Sequence, residues 1–289
     1  MKFLSIGVFL VSASAYLGAP RAEDSAWVSI LPAQGLAGWT PYYQKGPANP
    51  DSSWGVTPEG WLNVNLHLSY NTTGVGHLFY TKRKLSYYMV RSVYRFTSTT
   101  SAPDWGGGNK IQNNGLMIHS QAPETMTKDQ DFPISIEVQL LGGGPTGDRS
   151  TANVCTPGTE IFQNGAMVKG HCTNSTAPTF RGDQWVRVEV EVHGSEHIRH
   201  IVGGKTVIEY DLPQIGGTGV NNFDPAVKKD GALLSEGYIT IQGESHPTEF
   251  RKIELLNLSG CMDSKASNYK SYYVHRDDQQ CNYTNRGRR

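Results

Sequence analysis

Stretches in which apolar and polar residues alternate run along most of the chain and predict β-strands. Successive side chains of a strand point to opposite faces, so one face of each stretch is expected in a core and the other outside it. Clusters of glycine, proline and asparagine separate the stretches, as turns do. This order of elements predicts an all-β sandwich or jelly roll. The predicted strands are residues 61–68, 87–97, 115–120, 134–141, 185–193, 197–202, 207–211, 237–242 and 250–256.

Two of these strands carry a row of polar side chains opposite an apolar row. In the strand 134–141, Glu137 and Gln139 lie on one face and four aliphatic residues on the other. Near the end of the chain, Gln242 and Glu244 repeat this arrangement opposite two isoleucines. Two such strands would line one groove. We expect Glu137 to be a functional carboxylate and the other three side chains to bind a polar ligand; the alternative for each is a solvated strand residue.

Two histidines are candidates for acid–base chemistry. His119 ends the run Asn-Asn-Gly-Leu-Met-Ile-His, and strand parity places it on the same face as Gly115 and Met117. It is a candidate base, metal ligand or hydrogen-bond donor to a sugar. His246 precedes Pro247, which favours extended backbone and leaves the imidazole available near neutral pH. A loop histidine without a role is the alternative for His246.

Arg251 is a candidate for binding substrate. It shares strand parity with Ile253 and Leu255, so we expect it to be partly buried. A buried guanidinium needs a counter-charge, which Glu249 or Glu137 could supply. Arg251 could therefore form a structural ion pair or contact the substrate.

Composition points to a single large domain with a neutral partner. The 289 residues include 32 glycines, 15 prolines and no long helical pattern, which suits one all-β domain. Lys and Arg together number 26, as do Asp and Glu, so no net field attracts nucleic acid or anionic lipid. We expect an oligosaccharide or glycoside as partner, no nucleic acid and no organic cofactor.

Residues 1–22 have the features of a secretory signal peptide. Met1-Lys2 precede an apolar run from Phe3 to Val11 that is too short to span a bilayer, and small residues follow it. Cleavage is expected between residues 15 and 22. No other segment is apolar enough to be transmembrane. We therefore expect a secreted or periplasmic protein with no membrane span.

The four cysteines are expected to form disulfides, because pairing is the rule in an oxidising compartment. Nearest-neighbour pairing joins Cys155 to Cys172 and Cys261 to Cys281. A zinc site is the alternative, but it usually needs closely spaced ligands such as C-x-x-C, and the sequence has none.

A change of composition marks a separate tail module at residues 260–283. Its two cysteines bracket a turn and an acidic pair, as in a short extracellular repeat. A disulfide-closed, solvated cap is one interpretation, and a calcium site is the other. The oxygen ligands for calcium would come from Asp263, Asn268, Asp277 and Asp278.

Several short motifs follow one another along the chain. They are Gly38-Trp39, Trp54 with Gly60-Trp61-Leu62, Asn113 to His119, the Glu-x-Gln of 137–139, Trp185 to Glu189, His200 to Val207, and Phe250-Arg251 with Ile253. In this order they resemble the 3-keto-disaccharide hydrolase domain family. The resemblance covers roughly residues 27–258. It implies a concanavalin A-like jelly-roll sandwich with a sheet that faces sugar.

The resemblance also implies net hydrolysis of glycosides that are already oxidised at C3. The C3 carbonyl acidifies the C2 hydrogen, so a base can remove it, the C1 substituent is expelled, and water then adds to the 2-hydroxyglucal. Such a site needs a base near C2, donors at the C3 oxygen and an acid for the leaving group. Glu137, His119 and His246 are the catalytic candidates. Glu137 and His119 are also candidate ligands for a divalent metal ion that polarises the carbonyl.

Two other functions use the same residues. A lectin-like module on this fold would bind sugar without cleaving it, since a fold does not fix a function. An ordinary glycosidase would use Glu137 and Glu244 as its two carboxyl groups. Cleavage of unoxidised glycosides would favour the glycosidase, and binding without turnover would favour the lectin.

Overall fold

A computed structural model describes residues 24–45, 53–65, 74–97, 112–144, 146–243 and 246–283. The expected signal peptide and Glu244 lie outside these residues. Short 3-10 turns occur at Asp24–Ala26, Gln34–Leu36, Pro123–Thr125 and Asp278–Gln280. The strands are β1 (Val28–Ser29), β2 (Trp39–Tyr43), β3 (Trp54–Val56), β4 (Leu62–Val64), β5 (Gly76–Leu85), β6 (Tyr87–Phe96), β7 (Asn113–Ser120), β8 (Ile136–Leu141), β9 (Asn153–Cys155), β10 (Thr159–Gln163), β11 (Ala166–Met167), β12 (Cys172–Thr173), β13 (Val186–His193), β14 (His197–Val202), β15 (Lys205–Ile215), β16 (Gly237–Gly243), β17 (Thr248–Asn257), β18 (Ser259–Gly260) and β19 (His275–Arg276).

Most of these strands form two antiparallel sheets. The ten-stranded sheet has the order β11-β10-β15-β14-β13-β6-β17-β4-β3, with β1 paired to β17. The seven-stranded sheet has the order β12-β9-β8-β7-β16-β5-β2. The sheets are interleaved along the chain, because β5 and β6, or β16 and β17, are consecutive but belong to different sheets. The predicted all-β sandwich is confirmed.

The core lies between the sheets and uses the alternation seen in the sequence. Val188 and Val190 of β13 belong to it, and so do Leu116 of β7, Val138 of β8 and Ile241 of β16. Each is buried completely. A Val or Leu side chain removed from water in this way contributes roughly 1.5–3 kcal/mol. The polar rows of the same strands therefore face outward from the sandwich.

His200 is a polar exception within the core and is structural. It is fully buried; its Nδ1 donates to the Ala152 carbonyl at 2.9 Å, and its Nε2 accepts from the Tyr210 hydroxyl at 2.9 Å. Burial lowers the pKa of His200 to about 4. The imidazole is therefore neutral and joins β14 to the segment that enters β9.

Both nearest-neighbour disulfides are confirmed, Cys155–Cys172 and Cys261–Cys281. The first lies between the paired strands β9 and β12 of the seven-stranded sheet. The second closes the tail, in which β18 and β19 pair in parallel. Where the chain is described, no helix is long and apolar enough to cross a membrane.

The tail uses its candidate calcium ligands for internal hydrogen bonds. Asp263 accepts from the Lys265 amide and the Tyr283 hydroxyl. Asn268 bonds to the backbone of Gln280 and Asn282. The acidic pair is engaged as well: Asp277 caps the final 3-10 turn, and Asp278 pairs with Arg276. These bonds favour the disulfide-closed cap over a calcium site.

Candidate functional site

The outward face of the seven-stranded sheet carries the polar rows predicted from the sequence, and we call it the site face. Cross-strand register defines its members, because residues directly opposite in neighbouring strands share a face. Glu137 lies opposite Met117, Met117 opposite Thr240, and Gln242 opposite His77. The site face includes Thr40, Tyr42, His77, Phe79, Gly115, Met117, Glu137, Gln139, Asn153, Cys155, Thr240 and Gln242.

Gly115 of β7 lies at the centre of the site face, between Glu137 and Gln242. A Cβ atom at Gly115 would lie 2.8 Å from Glu137 Oε1 and 2.9 Å from Gln242 Oε1. The two oxygens therefore approach each other over the glycine, one from β8 and one from β16. Both are buried, with Glu137 5% and Gln242 2% exposed. Two neighbouring acceptor oxygens are suited to a ligand that brings a hydroxyl donor or a cation.

His77 of β5 was missed by the sequence analysis. It is fully buried beside Gln242, and its ring packs edge-on against Phe132 with centroids 5.6 Å apart. Among the described residues there is no hydrogen-bond partner for either ring nitrogen, for Gln242 Oε1 or for Thr240 Oγ1. Burial lowers the pKa of His77 to about 3, so the ring is neutral and has one donor and one acceptor.

The reason for missing His77 lies in the pattern of β5. The strand reads Gly-His-Leu-Phe-Tyr at its start, so apolar residues occupy both faces and the alternation is lost. A histidine inside such an apolar run was the available signal. Buried polar groups without partners are uncommon in folded proteins, and several of them gathered on one face make that face a candidate site.

Gln139 extends the site face toward the edge of the sheet. Its Oε1 accepts from Asn153 Nδ2 at 3.2 Å, and Asn153 Oδ1 in turn accepts from the Ser175 amide and the Ser150 hydroxyl. Ser150 and Ser175 line a cavity of about 530 Å³. A chain of hydrogen bonds therefore leads from the site face to the wall of this cavity.

A loop at residues 121–135 covers the other side of the site face. The Tyr42 hydroxyl donates to the carbonyls of Thr127 and Gln130 at 2.9 and 2.7 Å. Burial, with two nearby aspartates, raises the pKa of Tyr42 to about 12, so it remains a donor. Asp131 accepts from both the amide and the side chain of Asn221 at 2.8 and 2.6 Å. These bonds hold the loop, and with it Phe132, against the sheet.

His119 does not join the polar groups of the site face. It has a left-handed backbone with φ of 50°, which redirects the strand at its end. Its Nε2 lies 3.0 Å from the carbonyl of Gly194, in the β13–β14 hairpin of the other sheet. Close approach of β16 enforces this turn, because a Cβ at Gly237 would fall 2.4 Å from the His119 backbone. Burial lowers the pKa of His119 to about 4.

Arg251 lies on the ten-stranded sheet, and the expectation of partial burial was wrong. A bulge between Phe250 and Lys252 makes it an extra residue in β17, which breaks the parity used to place it. The side chain is exposed and lies over the Trp185 ring, 4.5 Å from its centroid. Glu249, one of its predicted partners, instead pairs with Arg95 at 2.7 Å.

His246 lies where the chain crosses from one sheet to the other. It is 2% exposed, and its ring packs edge-on against Phe96 with centroids 6.3 Å apart. Its carbonyl accepts from the Thr248 hydroxyl, which also accepts from Asn114 Nδ2 at 3.2 Å. Because Asn114 is the residue before Gly115, His246 belongs to the end of the sandwich next to the site face.

The two predicted metal ligands do not fit one ion. Glu137 lies over Gly115, whereas His119 Nε2 bonds to a carbonyl of the opposite sheet. The other oxygen over Gly115 is Gln242 Oε1, which lies 2.9 Å from the position of a Cβ there. Among the described His, Cys, Asp and Glu residues, the one close group of three is Cys155, His171 and Cys172, in which the two cysteines form a disulfide.

A family comparison agrees with the motifs along the chain. The model of the 3-keto-alpha-glucoside-1,2-lyase-like domain matches residues 26–256. No curated protein matches the chain significantly.

Solved structures with similar chain traces come from carbohydrate-related proteins. A candidate glycosyl hydrolase of Parabacteroides distasonis has 16% identity and a TM-score of 0.46, with 80% of this chain and 99% of that chain covered. A second such protein of the same organism has 12% identity and a TM-score of 0.47, with 82% and 98% covered. The carbohydrate-binding module CBM66 of Bacillus subtilis has 13% identity and a TM-score of 0.43, with 78% and 99% covered.

Proposed function

The chain belongs to the 3-keto-alpha-glucoside-1,2-lyase-like domain family, and on that premise we propose that it cleaves 3-keto-glycosides by elimination followed by hydration. The observation that carries the proposal is the pair of buried oxygens over Gly115, one from Glu137 and one from Gln242. A carboxylate on a sheet face surrounded by unpaired polar groups suits a base next to a bound sugar.

In this mechanism Glu137 removes the proton from C2 of the sugar. The electron pair moves toward the C3 carbonyl to give an enediolate, then forms the C1–C2 double bond as the C1–O bond breaks. The departing alkoxide takes up a proton. Water then adds across the C1–C2 double bond of the 2-hydroxyglucal, so the net reaction consumes one water and releases a 3-keto-sugar and an alcohol. The enediolate is the species that the site must stabilise.

The neutral groups of the site face are proposed to orient the sugar. Gln242 Oε1 and Thr240 Oγ1 are available to accept hydroxyl protons, and neutral His77 can both donate and accept. Met117 and Phe79 supply the apolar part of the same face. This mixture of a few polar groups on an apolar surface is typical of small-molecule sites. We assign His246 as the candidate acid because it lies at the adjoining end of the sandwich.

A divalent ion, if the reaction uses one, would be held at Glu137 together with the amide oxygen of Gln242. Both are oxygen donors of the kind that Mg²⁺ and Ca²⁺ prefer. Such an ion would polarise the C3 carbonyl. We also propose that the protein is exported, because two disulfides form in the structure and such bonds persist in oxidising compartments.

The test is incubation with matched 3-keto and unoxidised glucosides deuterated at C2, with and without a chelator. We expect cleavage of the 3-keto substrate alone, with a primary isotope effect or loss of deuterium to solvent, and hydration of the 2-hydroxyglucal supplied separately. Comparable cleavage of the unoxidised substrate with deuterium retained would establish a two-carboxylate glycosidase. Tight binding of either sugar without turnover would establish a lectin-like module.

A further inference from the structure

A group of potential metal ligands surrounds the Cys155–Cys172 disulfide at the edge of the seven-stranded sheet, where Cys155 lies directly opposite Glu137. The two sulfurs and a ring nitrogen of His171 all lie within 4.8 Å of one another. Cys155 is buried, whereas His171 and Cys172 are exposed. Two thiolates and an imidazole are ligands that zinc prefers.

Cys172 lies on a short strand at the edge of the seven-stranded sheet. β12 contains only Cys172 and Thr173, and it is the terminal strand of the seven-stranded sheet. Next to the disulfide, a backbone hydrogen bond joins Thr156 to His171: the Thr156 amide donates to the His171 carbonyl at 2.8 Å. An edge strand with an exposed sulfur is open to a thiol reductant, and the flanking hydrogen bond would hold the strands together after reduction.

We propose that reduction of the Cys155–Cys172 disulfide converts this corner into a binding site for a thiophilic metal ion such as Zn²⁺, with both thiolates and His171 as ligands. A dithiol reductant supplies the two electrons and two protons and is itself oxidised to a disulfide. Metal binding then releases the two thiol protons. Three protein ligands leave the fourth position of a tetrahedral ion to water.

The imidazole is close enough to both sulfurs to share a metal ion with them after reduction, since the three ligand atoms lie within 4.8 Å of one another. Zn–S bonds of about 2.3 Å place two bound sulfurs about 3.8 Å apart. His171 also lines a cavity of about 320 Å³ through which an ion could enter.

The structure also explains why sequence spacing gave no sign of this site. Short C-x-x-C or C-x-x-H motifs bring ligands together along one turn of chain. Here strand pairing does so instead: Cys155 lies directly opposite Cys172, although 17 residues separate them, and His171 is adjacent in sequence. The other disulfide, Cys261–Cys281, has no third ligand of this kind among the described side chains, and it provides an internal control.

The experiment is titration of the full chain with Co²⁺ and Zn²⁺, in oxidised form and after reduction under nitrogen. We expect the oxidised protein to bind neither ion at this corner. The reduced protein should bind one Co²⁺, with a sulfur-to-cobalt charge-transfer band that Zn²⁺ abolishes. His171→Gln, which keeps both thiols, should weaken binding at least tenfold, and Cys155→Ser/Cys172→Ser should abolish the band. Cys261→Ser/Cys281→Ser should retain it.

Far-ultraviolet circular dichroism of each sample separates metal binding from unfolding. Full binding by the Cys155→Ser/Cys172→Ser variant, or unchanged affinity in His171→Gln, would overturn the proposal. So would a reduced protein that loses its β-sheet signal and does not regain it when Zn²⁺ is added.

Discussion

The outward faces of the two sheets look alike in sequence but differ in how their buried polar groups are satisfied. On the ten-stranded sheet, Glu191 is 2% exposed and accepts from Arg199 Nη2 at 2.6 Å and His193 Nε2 at 2.8 Å. Glu249 pairs in the same way with Arg95. On the site face, Gln242 Oε1, Thr240 Oγ1 and both nitrogens of His77 have no hydrogen-bond partner in the part of the chain that the structure describes.

The difference makes the polar row of the site face the better candidate for function. A buried polar group without a hydrogen bond costs roughly 1–3 kcal/mol, so a fold built for stability alone pairs such groups. On the outward face of the ten-stranded sheet, Glu191 and Glu249 follow that rule. The site face departs from it at several neighbouring side chains, and a bound sugar would satisfy them.

The largest expected effect comes from Glu137→Gln. Neutralising the proposed base while conserving its volume should lower turnover of a 3-keto-glucoside by roughly 100-fold or more. The melting temperature should change little, because the neutral amide occupies the same space. Steady-state kinetics and thermal unfolding measure the two quantities. Full activity on every 3-keto substrate that the parent cleaves would exclude Glu137 as the base.

Glu191→Gln is the matched control on the opposite face. It makes the same chemical change in another buried strand carboxylate, but here the loss leaves Arg199 without its counter-charge. We expect unfolding free energy to fall by about 3 kcal/mol while kcat is unchanged. If this variant lost activity without losing stability, the contrast between the two faces would be wrong.

Acid should destabilise the fold through three neutral histidines. Burial lowers the pKa of His77 to about 3 and those of His119 and His200 to about 4, against 6.5 for a free imidazole. Between the pKa values of the folded protein and 6.5, the unfolded chain binds more protons than the folded protein does. The stability that these histidines contribute is therefore present above pH 6.5 and falls as the pH drops below it. Each histidine contributes a slope of about 1.4 kcal/mol per pH unit.

Denaturant unfolding at several pH values tests this expectation. His77→Gln should reduce the slope below pH 6 by about a third, since one of the three groups no longer titrates. A slope equal to that of the parent protein would mean that His77 is not buried in neutral form.

A smaller effect is expected from Gly115→Ala. The added methyl would meet Glu137 Oε1 and Gln242 Oε1, which are ends of flexible side chains and can move aside. The fold should therefore survive with a loss below about 1 kcal/mol, while activity falls roughly tenfold because the oxygens are displaced. Gly55→Ala is a control, since a Cβ there meets nothing within 4 Å. Equal activity in both variants would argue against a site over Gly115.

The sequence predicted the fold well because alternation, the signal used, reports the core directly. Val188 and Val138 are buried as their pattern requires, and Glu137, Gln139 and Gln242 fall on one outward face. Alternation also places Glu191 of β13 on an outward face, but it does not show that an ion pair with Arg199 accompanies its burial.

The remaining site residues depend on features that alternation does not contain. His119 itself has a left-handed backbone, which changes the direction of its side chain, and His77 lies in an apolar run of β5 that shows no alternation. Strand order is equally invisible: only pairing shows that β7 lies between β8 and β16 and that Gly115 separates their oxygens. Local periodicity predicts faces, whereas the neighbours across a sheet arise from long-range topology.

The smallest expected effect concerns Arg251, where one bulge residue reversed the prediction. Because the side chain is exposed and stacks on Trp185 of the ten-stranded sheet, Arg251→Ala should leave kcat and KM within about twofold and cost less than about 1 kcal/mol of stability. Arg251→Lys should be similar, since a cation over the ring is retained. A large rise in KM for a 3-keto-glucoside in both variants would place Arg251 in contact with substrate. The site would then extend beyond the seven-stranded sheet, and the comparison between the two faces would need to be redrawn.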